Sequence, residues 1–173
     1  MNNIDAKLLN SEVNGINLKP GTFADQLGDE PVLLVFLRHF GWLFCRETVE
    51  DIRKAAEKNP DYPDVLFFYQ GTVEDGQSFF DRYWPEARAV SDTPLHFYHG
   101  FGIKRGGIME IFSPMSVACS IRATAKGHTI GKPVGDPMVM PGLFLVKGES
   151  VLWTHKFNHI GDHPDFAKIA QIV

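Results

Sequence analysis

Two apolar patterns alternate along the first half of the chain. Residues 32–37 and 65–69 are continuous apolar runs, which is typical of strands buried on both faces of a sheet. Residues 44–58 and 73–83 repeat their apolar positions at helical spacing, and residues 87–90 predict a short third strand. The order strand, helix, strand, helix, strand predicts parallel pairing with right-handed crossovers.

The pattern changes near the end of the chain. Residues 143–146 and 151–154 are apolar segments joined by a Gly-containing loop, which predicts an antiparallel hairpin. Pro164 is a favoured first residue of a helix, so we expect a closing helix from that position. This element order is that of a thioredoxin-type α/β fold.

We therefore predict a thioredoxin-like α/β domain over residues 1–173, with a central mixed sheet flanked by helices. No repeat or Gly/Ser-rich linker divides the chain. Residues 97–135 separate the parallel part from the hairpin and are interpreted as an insertion before the hairpin. A helix over residues 115–126 of this insertion would carry Cys119.

Composition and charge narrow the class of protein. The 173 residues include 17 Lys and Arg against 21 Asp and Glu, a formal net charge of −4, and an excess of 14 Phe. A mildly acidic chain without a basic cluster argues against nucleic acid or an anionic membrane as a partner. The longest apolar run has six residues where a membrane helix needs roughly twenty. The N-terminal residues lack the pattern of an export signal, so we expect a cytosolic protein.

Cys45 is the leading candidate for chemistry. It lies where a buried strand passes into the first turn of a helix, the edge at which open α/β sheets bind ligands. Backbone N–H groups at a helix N-terminus stabilise a thiolate, so its pKa can fall well below ~8.5. Arg38, His39 and Arg46 lie close in sequence and can add positive charge. A thiolate is the nucleophile that attacks peroxides and disulfides.

A purely structural interpretation of both cysteines stays open. Cys45 shares the apolar face of its helix with Val49 and Ile52, and free cysteine is among the most buried residue types. Cys119 has no cation nearer than Arg122 in sequence, and we interpret it as a small core residue. The alternative role for Cys119 is a resolving thiol for Cys45.

Three histidines are spaced by four residues, at 155, 159 and 163. On one continuous helix this spacing would place them together as metal ligands. His155 ends a strand pattern and Pro164 begins a new element, so we predict no metal site. Asp162 is interpreted as the cap of the closing helix.

Three segments resemble a known family. Residues 37–47 (LRHFGWLFCRE) are similar to the active-site segment of the peroxiredoxin-like members of the AhpC/TSA antioxidant family. Residues 135–146 (GDPMVMPGLFLV) and 159–163 (HIGDH) resemble later segments of that family. The resemblance implies a thioredoxin-like fold in which Pro141 is a cis-proline facing Cys45.

The resemblance implies a substrate cleft, and one position of that cleft departs from the family pattern. We expect the substrate cleft to be lined by Phe40, Gly41, Trp42, Met140 and Pro141. Trp42 stands where many members carry the first cysteine of C-x-x-C, which excludes dithiol exchange within that motif. It also takes the place of the threonine of a peroxiredoxin-type T-x-x-C.

A second departure concerns the arginine that peroxiredoxins carry shortly before their last strands. Residues 138–141 contain no arginine. Arg38, Arg105 or Arg122 would have to supply that charge in this chain.

The resemblance implies a thiol-dependent redox protein without a cofactor. Cys45 is the expected nucleophile, with Arg38 and Arg46 as charge stabilisers. The substrate is a peroxide or disulfide, and an external thiol is the reductant. Whether the chain forms a homodimer stays open. The alternative is an inactive binding module in which Trp42, Phe40 and Phe44 form an exposed aromatic patch.

Overall fold

The computed structural model describes residues 3–40, 43–106, 134–157 and 162–172. Their elements in chain order are α1 (Ala6–Leu9), β1 (Gly15–Ile16), α2 (Phe23–Gln26), β2 (Val32–Phe36), α3 (Leu43–Lys58), β3 (Asp64–Tyr69), α4 (Val73–Tyr83), β4 (Arg88–Ser91), α5 (His96–Gly100), β5 (Gly142–Lys147), β6 (Ser150–His155) and a C-terminal 3₁₀ helix (Phe166–Gln171).

The six strands form one mixed sheet in the order β1-β4-β3-β2-β5-β6. β2 pairs in parallel with β3, and β3 pairs in parallel with β4. β5 pairs antiparallel with both β2 and β6, and β1 pairs antiparallel with β4. The α/β thioredoxin-like fold and its mixed sheet, both predicted from the sequence, are confirmed. β2 lies at the centre because all five of its residues are apolar and buried.

The side chains of β2 alternate between two apolar layers because successive residues of a strand point to opposite faces. Leu33 and Val35 pack with α3 and α4 on one face. Leu34 and Phe36 pack with α1, α2 and α5 on the other. Burial on both faces is the physical reason why the β2 sequence is continuously apolar instead of alternating.

Aromatic rings dominate the second layer and account for much of the phenylalanine excess. The Phe36 and Phe68 rings are stacked with centroids 4.4 Å apart. Phe23 meets the rings of Phe68, Phe97 and Phe101 edge to face. Edge-to-face and offset pairs of this kind stabilise by about 0.5–1.5 kcal/mol each beyond their buried area.

The end of the chain differs in detail from the prediction. The closing element is a 3₁₀ helix that begins at Phe166, two residues after the predicted start at Pro164. Asp165, and not Asp162, caps it, because its carboxylate accepts a hydrogen bond from the backbone N–H of Ala167. Asp162 instead contacts His155.

The stretch predicted to be an insertion begins within α5. Residues 107–133, which include the predicted helix at 115–126, lie outside the described residues. Among the described helices, none combines the length and the apolar character needed to cross a membrane.

Leu34→Ala should lower the free energy of unfolding by about 3 kcal/mol, because it leaves a cavity at a fully buried position of the central strand. Leu152→Ala is the matched control, since Leu152 is 47% exposed on β6, and it should change stability by less than about 0.5 kcal/mol. Urea denaturation monitored by circular dichroism measures both. Equal losses in the two variants would contradict the placement of the core.

Candidate functional site

Cys45 is the third residue of α3 and lies at the carboxyl end of the parallel strands. Its side chain is 4% exposed and belongs to the same apolar layer as Val49 and Ile52. The structure therefore combines both sequence interpretations, since Cys45 occupies the first turn of the helix and also the core face. It is a free thiol.

A small cavity adjoins the Cys45 side chain. Its volume is about 20 Å³, measured as the space open to the centre of a water molecule. One water molecule requires roughly 10–15 Å³ on this measure. The described residues that line the cavity are Val35, Phe36, Leu37, Arg38, Phe44, Cys45, Thr48, Pro141, Gly142, Leu143, Phe157, His163 and Phe166. The cavity is thus mostly apolar, with a few polar side chains beside the sulfur.

Burial raises the pKa of the Cys45 thiol above its ordinary value. The influences that lower the pKa are smaller: the charge of Arg38, hydrogen bonds from the backbone amides of Arg38 and His39, and the charge of Arg46. The expected fall in pKa is therefore wrong for the resting protein. The physical reason is that the same helix that brings N–H dipoles and cations to the sulfur also removes it from water.

Arg38, one of the two predicted charge stabilisers, is a buried cation whose charge acts on Cys45. Its guanidinium is buried, and Nε donates a hydrogen bond of 2.9 Å to the Val139 carbonyl while Nη2 donates to the Pro137 carbonyl. Burial lowers the pKa of Arg38, whereas the Cys45 and Asp136 charges raise it. An arginine keeps its proton in proteins, so a fixed positive charge lies beside the thiol.

Gln70 supports Arg38 from the end of β3. Its Nε2 donates to the Arg38 carbonyl, and its Oε1 accepts a hydrogen bond of 2.7 Å from the Asp136 N–H. Sequence reasoning missed Gln70. A polar residue directly after a buried strand at the carboxyl edge of the sheet was the signal that could have found it.

Tyr98, from the apolar layer formed with α1, α2 and α5, forms hydrogen bonds at the ends of β2 and β3. Its hydroxyl lies between the carbonyl oxygens of Leu37 and Phe68, at 2.9 Å from the latter. Burial raises the pKa of Tyr98 well above its ordinary value, so the hydroxyl stays protonated and can donate. No local signal pointed to this residue, because the contact with Leu37 spans 61 positions.

The remaining predicted residues either do not line the cavity or lie outside the described residues. The Arg46 guanidinium lies over the Tyr83 ring, 5.9 Å from its centroid, and its charge is the smallest of the influences on Cys45. Met140 bonds through its backbone N–H to the Lys104 carbonyl at 3.0 Å. Gly41, Trp42 and Cys119 lie outside the described residues, so their predicted roles stay predictions.

Pro141 lines the cavity beside Cys45, but its peptide bond is trans. The expectation of a cis-proline is therefore wrong for this structure. The proline immediately precedes β5, where Gly142 pairs with Phe36. A trans proline is accommodated at the start of a strand because its missing N–H removes no bond from the ladder.

The predicted aromatic patch is also contradicted for its described members. Phe40 is buried, and its ring stacks on Phe79 with centroids 4.2 Å apart. Phe44 is buried and meets the His163 ring edge to face at 5.8 Å. Both rings bury more apolar area in these contacts than they could at the surface, so neither contributes to an exposed binding face.

His163 lies against α3 beside the cavity. Its Nε2 is 3.2 Å from Thr48 Oγ1, and its Nδ1 is 4.0 Å from Glu47 Oε2. His155 contacts Asp162 instead, and His159 lies outside the described residues. Within the described part of the chain, no three His, Cys, Asp or Glu side chains are grouped so that they could hold a metal ion.

The sequence model of the AhpC/TSA antioxidant enzyme family matches residues 39–159, which is more than half of the chain. No curated protein sequence matches.

Solved structures share the fold at low sequence identity. A cysteine-to-serine mutant of PrxQ from Xylella fastidiosa superposes with a TM-score of 0.63 at 13% identity, covering 98% of this chain and 91% of that one. The peroxidoxin BcpB from Mycobacterium tuberculosis superposes with a TM-score of 0.57 at 17% identity, covering 98% of this chain and 94% of that one. A secreted disulfide oxidoreductase from the same organism superposes with a TM-score of 0.57 at 12% identity, covering 97% of both chains. At these identities the likeness concerns the fold.

His39 generates a prediction about acid stability. Burial, together with the Arg38 charge beside it, lowers the pKa of His39 to about 4. An unfolded histidine binds a proton near pH 6.5, so acid favours the unfolded state over the range in which the buried ring stays neutral. Stability is therefore lost as the pH falls from about 6.5 to about 4, by about 3 kcal/mol in total.

Urea denaturation at pH 7.5, 6, 5 and 4 measures this loss. His39→Gln should be less stable than the parent at pH 7.5 but should lose less stability on acidification. His99→Gln, at an exposed position, is the control and should follow the parent curve. An unchanged pH dependence in His39→Gln would contradict the assignment.

Proposed function

The chain belongs to the AhpC/TSA antioxidant enzyme family, and we propose that it reduces hydroperoxides at Cys45 and is regenerated by an external thiol. One observation supports this proposal: the Cys45 thiol and the buried Arg38 line the same small cavity at the carboxyl edge of the sheet.

The proposed reaction has two parts. In the first, the Cys45 sulfur attacks one peroxide oxygen, an S–O bond forms, the O–O bond breaks, and the thiol becomes a sulfenic acid while an alcohol or water leaves. In the second, one external thiol displaces water to form a mixed disulfide, and a second external thiol releases Cys45 as a thiol. The external reductant and a cytosolic location remain predictions from the sequence.

The size of the cavity favours a peroxide over a disulfide as substrate. A volume of about 20 Å³ accommodates hydrogen peroxide or the reactive end of a short organic hydroperoxide. A peptide disulfide has bulky groups on both sulfur atoms and would have to displace the apolar walls. The rings of Phe157 and Phe166 give those walls an affinity for a short hydrocarbon chain.

Arg38 is proposed to stabilise the charge that develops during the attack. Negative charge grows on the sulfur as its proton leaves and then on the departing oxygen as the O–O bond breaks. A buried guanidinium acts on such charge in a low-dielectric site without having to reorient. The backbone amides of Arg38 and His39, which point at the sulfur, act in the same direction.

Cys45→Ser should abolish the consumption of hydrogen peroxide in the presence of excess dithiothreitol, because serine cannot form a sulfenic acid. Peroxide loss is followed colorimetrically, and peptide mass spectrometry of the parent protein locates the added oxygen. Cys119→Ser is the matched control and should retain at least half of the rate. A parent rate no higher than that of Cys45→Ser would overturn the proposed function.

Arg38→Lys should slow the oxidation of Cys45 by about tenfold or more, because an ammonium group cannot reproduce two hydrogen bonds from a planar guanidinium. Arg105→Lys is the control: Arg105 is exposed and pairs with Asp136 at 3.2 Å. Its rate should stay within about twofold of the parent. The second-order rate constant with hydrogen peroxide, from quenched time points and intact-mass analysis, compares them. Equal slowing by both substitutions would argue against a role specific to Arg38.

A further inference from the structure

Two backbone amides after β2 point at the Cys45 sulfur, and distant side chains hold the carbonyls of the same two peptide units. The amides are those of Arg38 and His39, and both donate hydrogen bonds to the sulfur. A peptide unit is planar, and in its trans form the C=O and the N–H point in opposite directions. No peptide bond within the described ranges is cis. A group that holds one of these carbonyls therefore also fixes the direction of the N–H on the other side.

The first peptide unit joins Leu37 to Arg38 and is held by Tyr98. The buried Tyr98 hydroxyl lies within hydrogen-bond distance of the Leu37 and Phe68 carbonyls. The Phe68 carbonyl already accepts the Leu37 N–H at 2.9 Å, whereas the Leu37 carbonyl has no second hydrogen bond within the described part of the chain. The single hydroxyl proton is therefore donated to the Leu37 carbonyl. A continuous path leads from this hydroxyl through the peptide unit to the sulfur.

The second peptide unit joins Arg38 to His39 and is held by Gln70. Gln70 Oε1 accepts a hydrogen bond of 2.7 Å from the Asp136 N–H, which only the oxygen of the side-chain amide can do. The amide nitrogen is thereby turned toward the Arg38 carbonyl, to which it donates. Gly135 packs so closely on this side chain that a Cβ there would lie 2.5 Å from Gln70 Cβ. The orientation of the Gln70 amide is thus fixed from two sides.

The sheet does not hold the carbonyls of these two peptide units. The register pairs of β2 with β3 and with β5 both end at Phe36. The residue before β5 is Pro141, which has no N–H to donate. Buried carbonyls beyond the end of the ladder need other donors. Tyr98 supplies one from α5, and Gln70 supplies the other from the position after β3.

We propose that Tyr98 and Gln70 are positioning residues, each of which aims one backbone amide at the Cys45 sulfur. Each hydrogen bond to a carbonyl also polarises its peptide unit, because hydrogen bonds in a chain strengthen one another. A neutral thiol sulfur is a weak acceptor, whereas an ionised acceptor forms stronger hydrogen bonds. The aimed amides therefore act most strongly as negative charge develops on the sulfur during its attack on the peroxide. This inference rests on the proposed function and concerns the same site.

The first test is an NMR measurement on the reduced full-length protein. Removing the donor from a carbonyl should shift the signal of the amide in the same peptide unit, because that N–H loses polarisation and alignment. Tyr98→Phe should therefore move the amide signal of Arg38 more than that of His39. Gln70→Met should have the opposite preference and move the His39 signal more. A general loosening of the structure would not produce this pairing of variant with amide.

The second test measures the rate of Cys45 oxidation by hydrogen peroxide, from quenched time points and intact-mass analysis. Tyr98→Phe and Gln70→Met should each be slower by about tenfold, the scale of one hydrogen bond to a developing charge. Phenylalanine keeps the ring of tyrosine, and methionine has nearly the shape of glutamine, so neither substitution leaves a large cavity. Thermal melts show that each variant is folded at the temperature of the measurement.

Two matched controls carry the same substitutions near the other end of β3. Tyr62 precedes β3, and its hydroxyl has no hydrogen-bond partner among the described residues. Gln26 is buried, as Gln70 is, and bonds to the Lys19 backbone. Tyr62→Phe and Gln26→Met should leave the oxidation rate and both amide signals unchanged. Slowing of the same size in these controls would show a general effect on stability and would overturn the positioning role.

The outcomes keep the two proposals apart. Slowing confined to Tyr98→Phe and Gln70→Met, with each variant moving its own amide signal, supports the positioning role. A parent protein that oxidises at a rate neither substitution changes overturns that role and leaves the peroxidase proposal standing. Amide signals that stay in place in both variants overturn it whatever the rates. A parent protein whose Cys45 gains no oxygen overturns the proposed function, and the amide signals, recorded without peroxide, then judge the positioning separately.

Discussion

A buried positive charge joins the parts of this site. The Arg38 guanidinium has almost no contact with water, and removing such a charge from water costs several kcal/mol unless hydrogen bonds replace the lost hydration. The carbonyls of Pro137 and Val139 supply those bonds and thereby tie the segment before β5 to the end of β2. Gln70 closes the arrangement by bonding both the Arg38 carbonyl and the Asp136 N–H. The Cys45 cavity lies against the element ends that these contacts hold together.

Two opposing effects act on the Cys45 sulfur, and their balance defines the resting state. Burial in an apolar layer favours the neutral thiol, whereas the Arg38 charge and two backbone amides favour the thiolate. A buried, neutral thiol is also less susceptible to non-specific oxidation, because the oxidation of a cysteine is favoured by thiolate character and solvent exposure. Burial is the larger of the two effects, so the pKa of the resting thiol lies above its ordinary value.

Much of the fold could be predicted because its strands and helices have distinct periodicities. The continuous apolar run of β2, the helical spacing of α3 and the Gly-containing loop between β5 and β6 each led to the correct element. Errors came where the signal was weak. The closing helix begins later than Pro164 because the side chain of Asp165 caps it. Phe40 and Phe44 face inward because partners such as Phe79 and His163, distant in sequence, cover them.

The sequence by itself determined the order of the elements and the position of Cys45 at the junction of β2 and α3, because both follow from neighbouring residues. Only the tertiary structure decided what surrounds the sulfur. Arg38 meets Val139 across 101 positions and Thr48 meets His163 across 115, and no local pattern records either contact. The direction of the Cys45 pKa likewise depends on how completely the folded chain excludes water. Burial is a property of the whole packed structure, whereas a helix or strand is largely a property of its own residues.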